Sequence, residues 1–537
     1  MDAVLTRDPA RAPALAAGAQ AGRGRRLGLA FLSLALVTEA ARSEETGSSK
    51  SSSSSSKNSN EDLRREIEAL RRNDVENRRM LEALEQRLER FGSPAITRST
   101  ARVEDATEET DAEALDRALE EVDPPGPRAA PGAPAPSSDL YSRQFGSTNL
   151  RLIDISVDAL FAAGGSTERD ESIQNLQGGG HDPRKRGFTF QQLELSLEAA
   201  VDPFIRGEAH IVYFIDAIEG ESVVELEEAF LTTQQLPYGF QLEAGHFFTE
   251  FGRINPQHPH QWEWQDQPVV NSRFFGPDGM RGPGVRLGWL SPLPWYSVIH
   301  AGAQNAAGET MGSFLANDEF FEERPVGGRP FVERDFRTLK DLVYLLRWDN
   351  GFDITEELSS KVGVSGLYGP NSTGSDGFTR IYGADLVLKW RPTENDHGWP
   401  FVILQSEVLR REYFADAAVD EGDDPIDPLD DTVFASSTFR DWGVYAHVLY
   451  GFTRNWAVGF RFEHAGGEGP DGDARGEDPF RDDRTRLSPL LMWQPTHFSR
   501  LRLQYNYDNA THLSGDDAHS VWMGVEFLFG VHPVHSY

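Results

Sequence analysis

The chain has 537 residues, with 85 Asp and Glu against 52 Lys and Arg, and a formal net charge of −33 at pH 7. This acidic balance argues against nucleic acid as a partner, and the lack of cysteine excludes disulfides and thiolate metal sites. The sequence contains no phosphate-binding loop, nucleophile elbow or HExxH motif, so it predicts neither an enzyme nor a cofactor.

Residues 1–41 are predicted to be a secretory signal. A short arginine-rich stretch precedes an apolar run over residues 27–37, and the small residues Ala40 and Ala41 follow at a position suited to cleavage. An uncleaved anchor is the alternative, but the run is shorter than the ~20 apolar residues that a membrane-spanning helix needs. We therefore expect export across the inner membrane.

The region after the signal divides into three predicted segments. Residues 42–59 are rich in serine and should be flexible. Residues 60–92 predict a coiled-coil helix because apolar side chains recur at heptad positions, with Asp74 and Asn77 interrupting the seam. A single amphipathic helix is the alternative. Residues 93–140 are acidic and then rich in Pro and Ala, which predicts an extended linker.

The region from residue 141 to residue 537 predicts a membrane barrel. About sixteen segments alternate polar and apolar residues with the period of two that strands show, and short turns alternate with long polar loops. We therefore predict an all-β fold, an antiparallel transmembrane β-barrel of about 16 strands with a polar lumen and both termini in the periplasm. A soluble protein with its aromatic side chains in the core is the alternative.

Three stretches carry a family resemblance: residues 227–230 (EEAF), residues 244–260 (AGHFFTEFGRINPQHPH, continuing to 266–268) and residues 530–537 (GVHPVHSY). They resemble outer-membrane porins of the phosphate-selective porin (O and P) type. They are closest to the group labelled zinc-regulated TonB-dependent outer membrane receptors. The resemblance implies a sixteen-stranded, trimeric barrel in the outer membrane of a Gram-negative-type cell.

Phosphate selectivity is not predicted. Phosphate channels of this type have lumens rich in lysine and arginine. The barrel region contains only four lysines, namely Lys185, Lys340, Lys361 and Lys389.

Residues 253–281 form the third of the predicted external loops, the position at which related porins fold a loop into the channel. Its polar and aromatic side chains predict a pore constriction formed by Asn255, His258, His260, Trp262, Glu263, Trp264 and Asp266. Simple packing of the loop on the wall is the alternative. His258 and His260, with Glu263 or Asp266, are also weak candidates for binding a metal such as zinc, which favours imidazole and carboxylate ligands.

Charged residues of the predicted inward face are segregated along the chain. The acids Glu194, Glu208, Glu227 and Glu243 lie on early strands, and the arginines Arg286, Arg461, Arg500 and Arg502 lie on later strands. Opposed across a pore, they would create a transverse field that orients dipolar solutes. A water-filled lumen lined by neighbouring salt bridges is the alternative.

The sequence therefore predicts a porin-like channel for passive diffusion of small hydrophilic solutes or ions. Its expected partners are outer-membrane lipid, two further copies in a homotrimer, and peptidoglycan through the coiled coil. The alternatives are a gated uptake or binding protein for a metal ion or chelate, and a structural envelope tether.

Overall fold

The computed structural model describes residues 142–145, 148–151, 153–420, 432–469, 479–515 and 517–530. The predicted signal, serine-rich segment, coiled coil, linker and C-terminal tail all lie outside these residues. Within the described residues, no helix combines the length and the apolar character needed to cross a membrane.

Strands dominate the described residues. The first half of the chain contributes β1 (Ser142–Phe145), β2 (Thr148–Arg151), β3 (Asp154–Ser166), β4 (Gly187–Ala200), β5 (Ile205–Ile215), β6 (Ser222–Thr233), β7 (Phe240–Phe248), β8 (Arg281–Leu290), β9 (Tyr296–Asn305) and β10 (Leu342–Asp353). The second half contributes β11 (Leu358–Pro370), β12 (Phe378–Trp390), β13 (Phe401–Ala415), β14 (Ala418–Asp420), β15 (Thr432–Phe434), β16 (Ser437–Thr453), β17 (Trp456–Glu468), β18 (Arg484–Thr496), β19 (Ser499–Ala510) and β20 (Asp517–Gly530).

Sixteen of these strands form one closed barrel in which each strand pairs antiparallel with its neighbours in the chain. Strand β20 closes the barrel by pairing with β3, with Phe527 opposite Ala159. Two hairpins, β1–β2 and β14–β15, stand outside the barrel sheet. The predicted sixteen-stranded antiparallel barrel is confirmed.

The alternation of side chains along β17 shows how the sequence specifies the two faces of the wall. Val458, Phe460 and Phe462 are exposed on the outer surface, whereas Arg461 and Glu463 between them are buried in the interior. Successive strand residues point to opposite faces, so this pattern places apolar groups outside and charges inside.

Long connections lie at one end of the barrel and short turns at the other. Three helices lie in the long connections: α1 (Asp170–Leu176), α2 (Val269–Phe275) and α3 (Asp318–Glu323). We name residues 249–280, which join β7 to β8 and include α2, the lumen segment.

The largest buried apolar cluster lies inside the barrel, near the end with the long connections. It joins Phe251, Phe274 and Phe275 of the lumen segment to Phe314 of the β9–β10 connection and to wall residues such as Leu345. This apolar cluster differs from the predicted polar lumen. The inward face of β10 shows why, because it is apolar at Leu345 and charged only from Arg347 onward.

Candidate functional site

The lumen segment leaves the wall and returns to it at nearly the same place. The backbone N–H of Thr249 donates to the carbonyl of Met280 over 2.9 Å. The side-chain amide of Asn255 donates to the carbonyls of Thr249 (2.7 Å) and Met280 (3.1 Å), and its oxygen accepts from the N–H of Met280 (2.8 Å). Asn255, a predicted constriction residue, thus closes the base of the segment.

One side of the segment is bound to β13. The carboxylate of Glu407 accepts the backbone N–H groups of Arg253 (2.5 Å) and Ile254 (3.2 Å). Glu407 is 1% exposed, so these bonds lie in the barrel interior. They satisfy buried backbone donors that would otherwise lack partners.

Asp266 binds the part of the wall that lies half-way round the barrel from β7 and β8, the strands that the segment joins. Its carboxylate, fully buried, accepts from Arg461 of β17 (2.5 Å), Arg486 of β18 (2.9 Å), and Gln504 (2.8 Å) and Asn506 (3.0 Å) of β19. Burial raises the pKa of Asp266, but the two guanidinium groups lower it by more, so the pKa lies below its ordinary value. Asp266 therefore stays ionised and fully hydrogen-bonded.

Both predicted tryptophans are buried between the segment and the wall. The indole N–H of Trp264 donates to the carbonyl of Ser488 over 2.9 Å, and the guanidinium of Arg461 lies 5.4 Å from its ring centre. The carbonyls of Trp262 and Trp264 each accept from Arg502 over 3.1 Å. Arg502, predicted as a lumen charge, therefore contacts the segment rather than open water.

Glycines on the inward face of the wall make room for the segment. A Cβ at Gly383 would lie 2.7 Å from the ring of Phe251, and one at Gly524 would lie 2.3 Å from Oε1 of Gln265. Both distances are shorter than a carbon can tolerate, so the wall is shaped to fit these side chains.

His258 and His260 meet the acidic side of the wall. His258 bonds through Nδ1 to Glu227 (2.8 Å) and through Nε2 to Glu228 (3.0 Å). His260 bonds through Nδ1 to Glu194 over 2.8 Å. Burial lowers the pKa of each histidine, but the carboxylates, chiefly Glu194, raise it by more, so each pKa lies above its ordinary value.

A β-bulge explains how two consecutive acids reach His258. Between β5 and β6, His210 pairs with Glu228 while Ile211 pairs with Leu226, which leaves Glu227 as the extra residue. A bulge redirects side chains that would otherwise alternate between faces. Strict alternation of side chains along β6 predicts that Glu227 points inward and Glu228 outward. Glu228 and His210 belong to the site and were missed, and the adjacent acids within one strand were the available signal.

The other predicted lumen charges form ion pairs along the wall. Glu243 accepts from Arg286 over 2.8 Å, and Arg286 also contacts Glu250 of the lumen segment. Glu208 lies 3.0 Å from Arg206 on the same strand. Arg500 binds Glu526 and donates to the carbonyl of His260 over 2.6 Å.

The predicted metal partners of the histidines are not where the sequence placed them. Glu263 lies 4.0 Å from His447, and Asp266 is occupied by arginines. Among the described residues, the group with metal-ligand spacing consists of Glu194, His210 and His258, whose ligand atoms all lie within 4.8 Å of one another. It includes His258 but not His260.

A cavity of about 1260 Å³ occupies the interior at the end with the short turns. The lumen segment forms its inner boundary through Arg253, His260 and Glu263, and the turn residues Glu356 and Glu357 line its outer part. Charged residues of both signs, such as Lys389 and Glu263, and apolar residues, such as Phe401 and Leu449, line this chamber, which is large enough for a small solute.

Substitution of Trp262 and Glu263 separates packing from charge at this boundary. Trp262 is 7% exposed within the apolar cluster, so Trp262→Ala should destabilise the docked segment by about 3–5 kcal/mol. Glu263→Ala should leave docking intact, because its side chain faces the cavity. Limited proteolysis of the folded barrel measures the difference, and equal protection in the two variants would contradict this assignment.

No protein-family model matches the chain. The chain is 31% identical over 383 residues to an uncharacterised protein of Aquifex aeolicus (strain VF5), an alignment that covers 67% of this chain and 74% of that protein. The chain belongs to the same family as this Aquifex protein.

Solved structures with a similar fold are outer-membrane proteins. The channel DcaP of Acinetobacter baumannii has a TM-score of 0.45 at 11% identity, with 70% of this chain and 97% of that chain covered. OprB of Pseudomonas putida has a TM-score of 0.42 at 10% identity, with 70% and 94% covered. These similarities concern the fold alone.

Proposed function

We propose that the protein is an outer-membrane channel for small hydrophilic solutes or ions, and that the lumen segment closes it in the conformation described above. The observation that carries the proposal is a closed barrel with an apolar exterior, whose interior is crossed by one segment that leaves the wall between β7 and β8 and is anchored half-way round the barrel on β17 and β18. The predicted passive channel is retained, and closure by the lumen segment is added to it as part of the proposal.

The exterior of the barrel supports residence in a membrane. Large apolar side chains are exposed on alternate positions of many strands, among them Leu346 and Trp348 on β10 and Leu503 and Tyr505 on β19. Exposed apolar surface on this scale is rare on a soluble monomer. A closed sheet leaves no unpaired backbone edge, which lipid requires.

The interior supports gating. Asp266, Glu407 and His258 fix the segment to three separate parts of the wall, so the segment spans the lumen at this level while all three remain bound. Both ends of the segment share one anchor at Asn255, which provides a hinge about which it could swing. Movement of a loop with such contacts falls in the microsecond to second range.

Planar-bilayer recording tests the proposal. The purified chain should give brief openings from a mainly closed level, and a salt gradient should yield a reversal potential that reports ion preference. Steady full conductance from the unmodified chain would overturn gating. No current from either the unmodified chain or one lacking the lumen segment would overturn the channel itself.

The remaining partners are part of the proposal. We infer a homotrimer with both termini in the periplasm and contact to peptidoglycan through residues 60–92, which lie outside the described residues. Cross-linking in detergent tests the trimer, and sedimentation with purified peptidoglycan, with and without residues 60–92, tests the wall contact. The resemblance to phosphate-selective porins and zinc-regulated receptors stays a prediction.

A further inference from the structure

We propose that Glu194, His210 and His258 form a binding site for a divalent transition-metal ion with the ligand preferences of zinc. The site would join the wall strands β4 and β5 to the lumen segment. It is independent of whether the barrel conducts.

Two of the three distances between the ligand atoms are close to those of a tetrahedral zinc site, and all three atoms lie within 4.8 Å of one another. Oε1 of Glu194 lies 2.9 Å from Nδ1 of His210 and 3.6 Å from Nδ1 of His258. Zinc bonds of about 2.0–2.1 Å separate tetrahedral ligands by about 3.3 Å. The two measured distances lie on either side of that value, so small side-chain rotations suffice.

The groups around these ligands are those that support a metal site. With Nδ1 of His258 on the metal, its Nε2–H would donate to Glu228, which lies 3.0 Å away. A carboxylate in that position fixes the ring and strengthens the ligand. Oε2 of Glu194 lies 2.8 Å from Nδ1 of His260, so the ligating carboxylate has a partner of its own.

The local charge favours a cation. Glu227, Glu228 and Glu194 surround His258, and the oxygen of Glu227, 2.8 Å from Nδ1, is near enough to serve as a fourth ligand. A metal ion bound there would neutralise carboxylates that now compete for the same imidazole. This gives an open or a closed four-coordinate site, according to whether water or Glu227 is the fourth ligand.

A buried imidazole nitrogen beside the cluster lacks a hydrogen-bond partner. Nε2 of His181, a residue 5% exposed, makes no hydrogen bond in the described structure and lies 3.7 Å from Glu227. Buried polar atoms in native proteins normally have partners. An ion at this cluster would pull Glu227 towards itself and give this region a different set of contacts.

Burial and location make the site selective yet reachable. The side chains of Glu194 and His258 are 0% and 6% exposed, while that of His210 is 14% exposed. His260, hydrogen-bonded to Glu194, lines the interior cavity. An ion can therefore approach from the chamber and lose its water shell at the wall.

Zinc binding to the purified full chain in detergent is the test. After treatment with EDTA, calorimetry and elemental analysis should find one zinc ion per chain with nanomolar to micromolar affinity. Cobalt(II) in its place should give the intense visible absorption of a four-coordinate ion. Neither readout requires ionic current, so it is independent of conductance.

Variants locate the ion. His210→Gln and His258→Gln should each weaken zinc binding by more than the roughly 10- to 100-fold that loss of a supporting partner costs. The matched control His464→Gln should bind zinc normally. In the described structure the ring of His464 hydrogen-bonds to Thr485 and to none of the three proposed ligands. The double variant His532→Gln with His535→Gln tests binding at the C-terminal tail.

The outcomes decide the proposal. Heat-dependent gel mobility shows which variants fold. If His258→Gln does not fold, His210→Gln alone tests the site. The proposal is overturned if the unmodified chain binds no zinc, if cobalt gives only a six-coordinate spectrum, if binding survives in every folded histidine variant of the site, or if the tail variant abolishes it.

Discussion

Replacement of residues 256–278 by a short Gly/Ser linker is expected to convert a channel that is mainly non-conducting into a steadily conducting pore. The linker is feasible because Asn255 and Met280 are hydrogen-bonded to each other across the base of the segment. The replacement removes Asp266, His258 and helix α2 from the lumen, and the closed sheet needs none of them for its pairing. Planar-bilayer recording should show a stable open level.

The matched control replaces residues 217–220, the connection between β5 and β6, with the same kind of linker. These residues lie at the same end of the barrel and are exposed or half-buried, so conductance should stay at the closed level. If the variant without 256–278 folds, by heat-dependent gel mobility, and still remains closed, then another part of the chain blocks the lumen.

The sequence was sufficient to predict the barrel because each strand carries its own evidence. Alternation along β17 or β19 depends only on neighbouring residues, and the alternation of short and long connections orders the strands. The result was the correct strand number and direction. The prediction that the third external connection folds into the lumen came from family resemblance, not from its composition.

The anchoring of the segment could not be predicted, because it depends on contacts between distant residues. Asp266 meets Arg461 and Arg486, which follow it by 195 and 220 residues. The sequence indicates an acidic wall, which includes Glu194 and Glu227, and a basic wall, which includes Arg461 and Arg502, and it favours either a field acting on solutes or neighbouring salt bridges. In the structure the acidic wall holds histidines and the basic wall holds Asp266 and backbone carbonyls. The charges are complementary to the segment.

Local irregularities also limited the prediction. The bulge at Glu227 brings Glu228 and His210 to one site, and a strict period of two hides this. Inward glycines such as Gly383 and Gly524 were uninformative alone, because the side chains that they accommodate come from another part of the chain. The close approach of each glycine to its side chain becomes apparent only when the positions of both residues in the fold are known.

Asp266→Asn is expected to release the lumen segment from the basic wall. The substitution keeps the size of the side chain but removes the charge that Arg461 and Arg486 share, and breaking a buried ion pair costs about 3–5 kcal/mol. Hydrogen exchange of residues 253–280 should accelerate, and openings in bilayers should become longer and more frequent.

Acid should not reproduce this effect at moderate pH. Because the pKa of Asp266 is lower in the folded chain than in the unfolded one, its stabilising contribution is present above the unfolded value of about 3.9 and is lost only as the pH falls through the folded value. Exchange of the Asp266 region should therefore be as slow at pH 5 as at pH 7, after correction for the intrinsic rate.

Asp385→Asn is the matched control for this prediction. Asp385 is a buried carboxylate paired with Arg347 at 2.7 Å, but that pair joins two wall strands and includes no residue of the lumen segment. It should lower the stability of the barrel without lengthening the openings. If both variants change gating equally, general loss of stability rather than release at Asp266 explains the effect. If only Asp266→Asn does so, the bonds from Asp266 to Arg461 and Arg486 hold the channel closed.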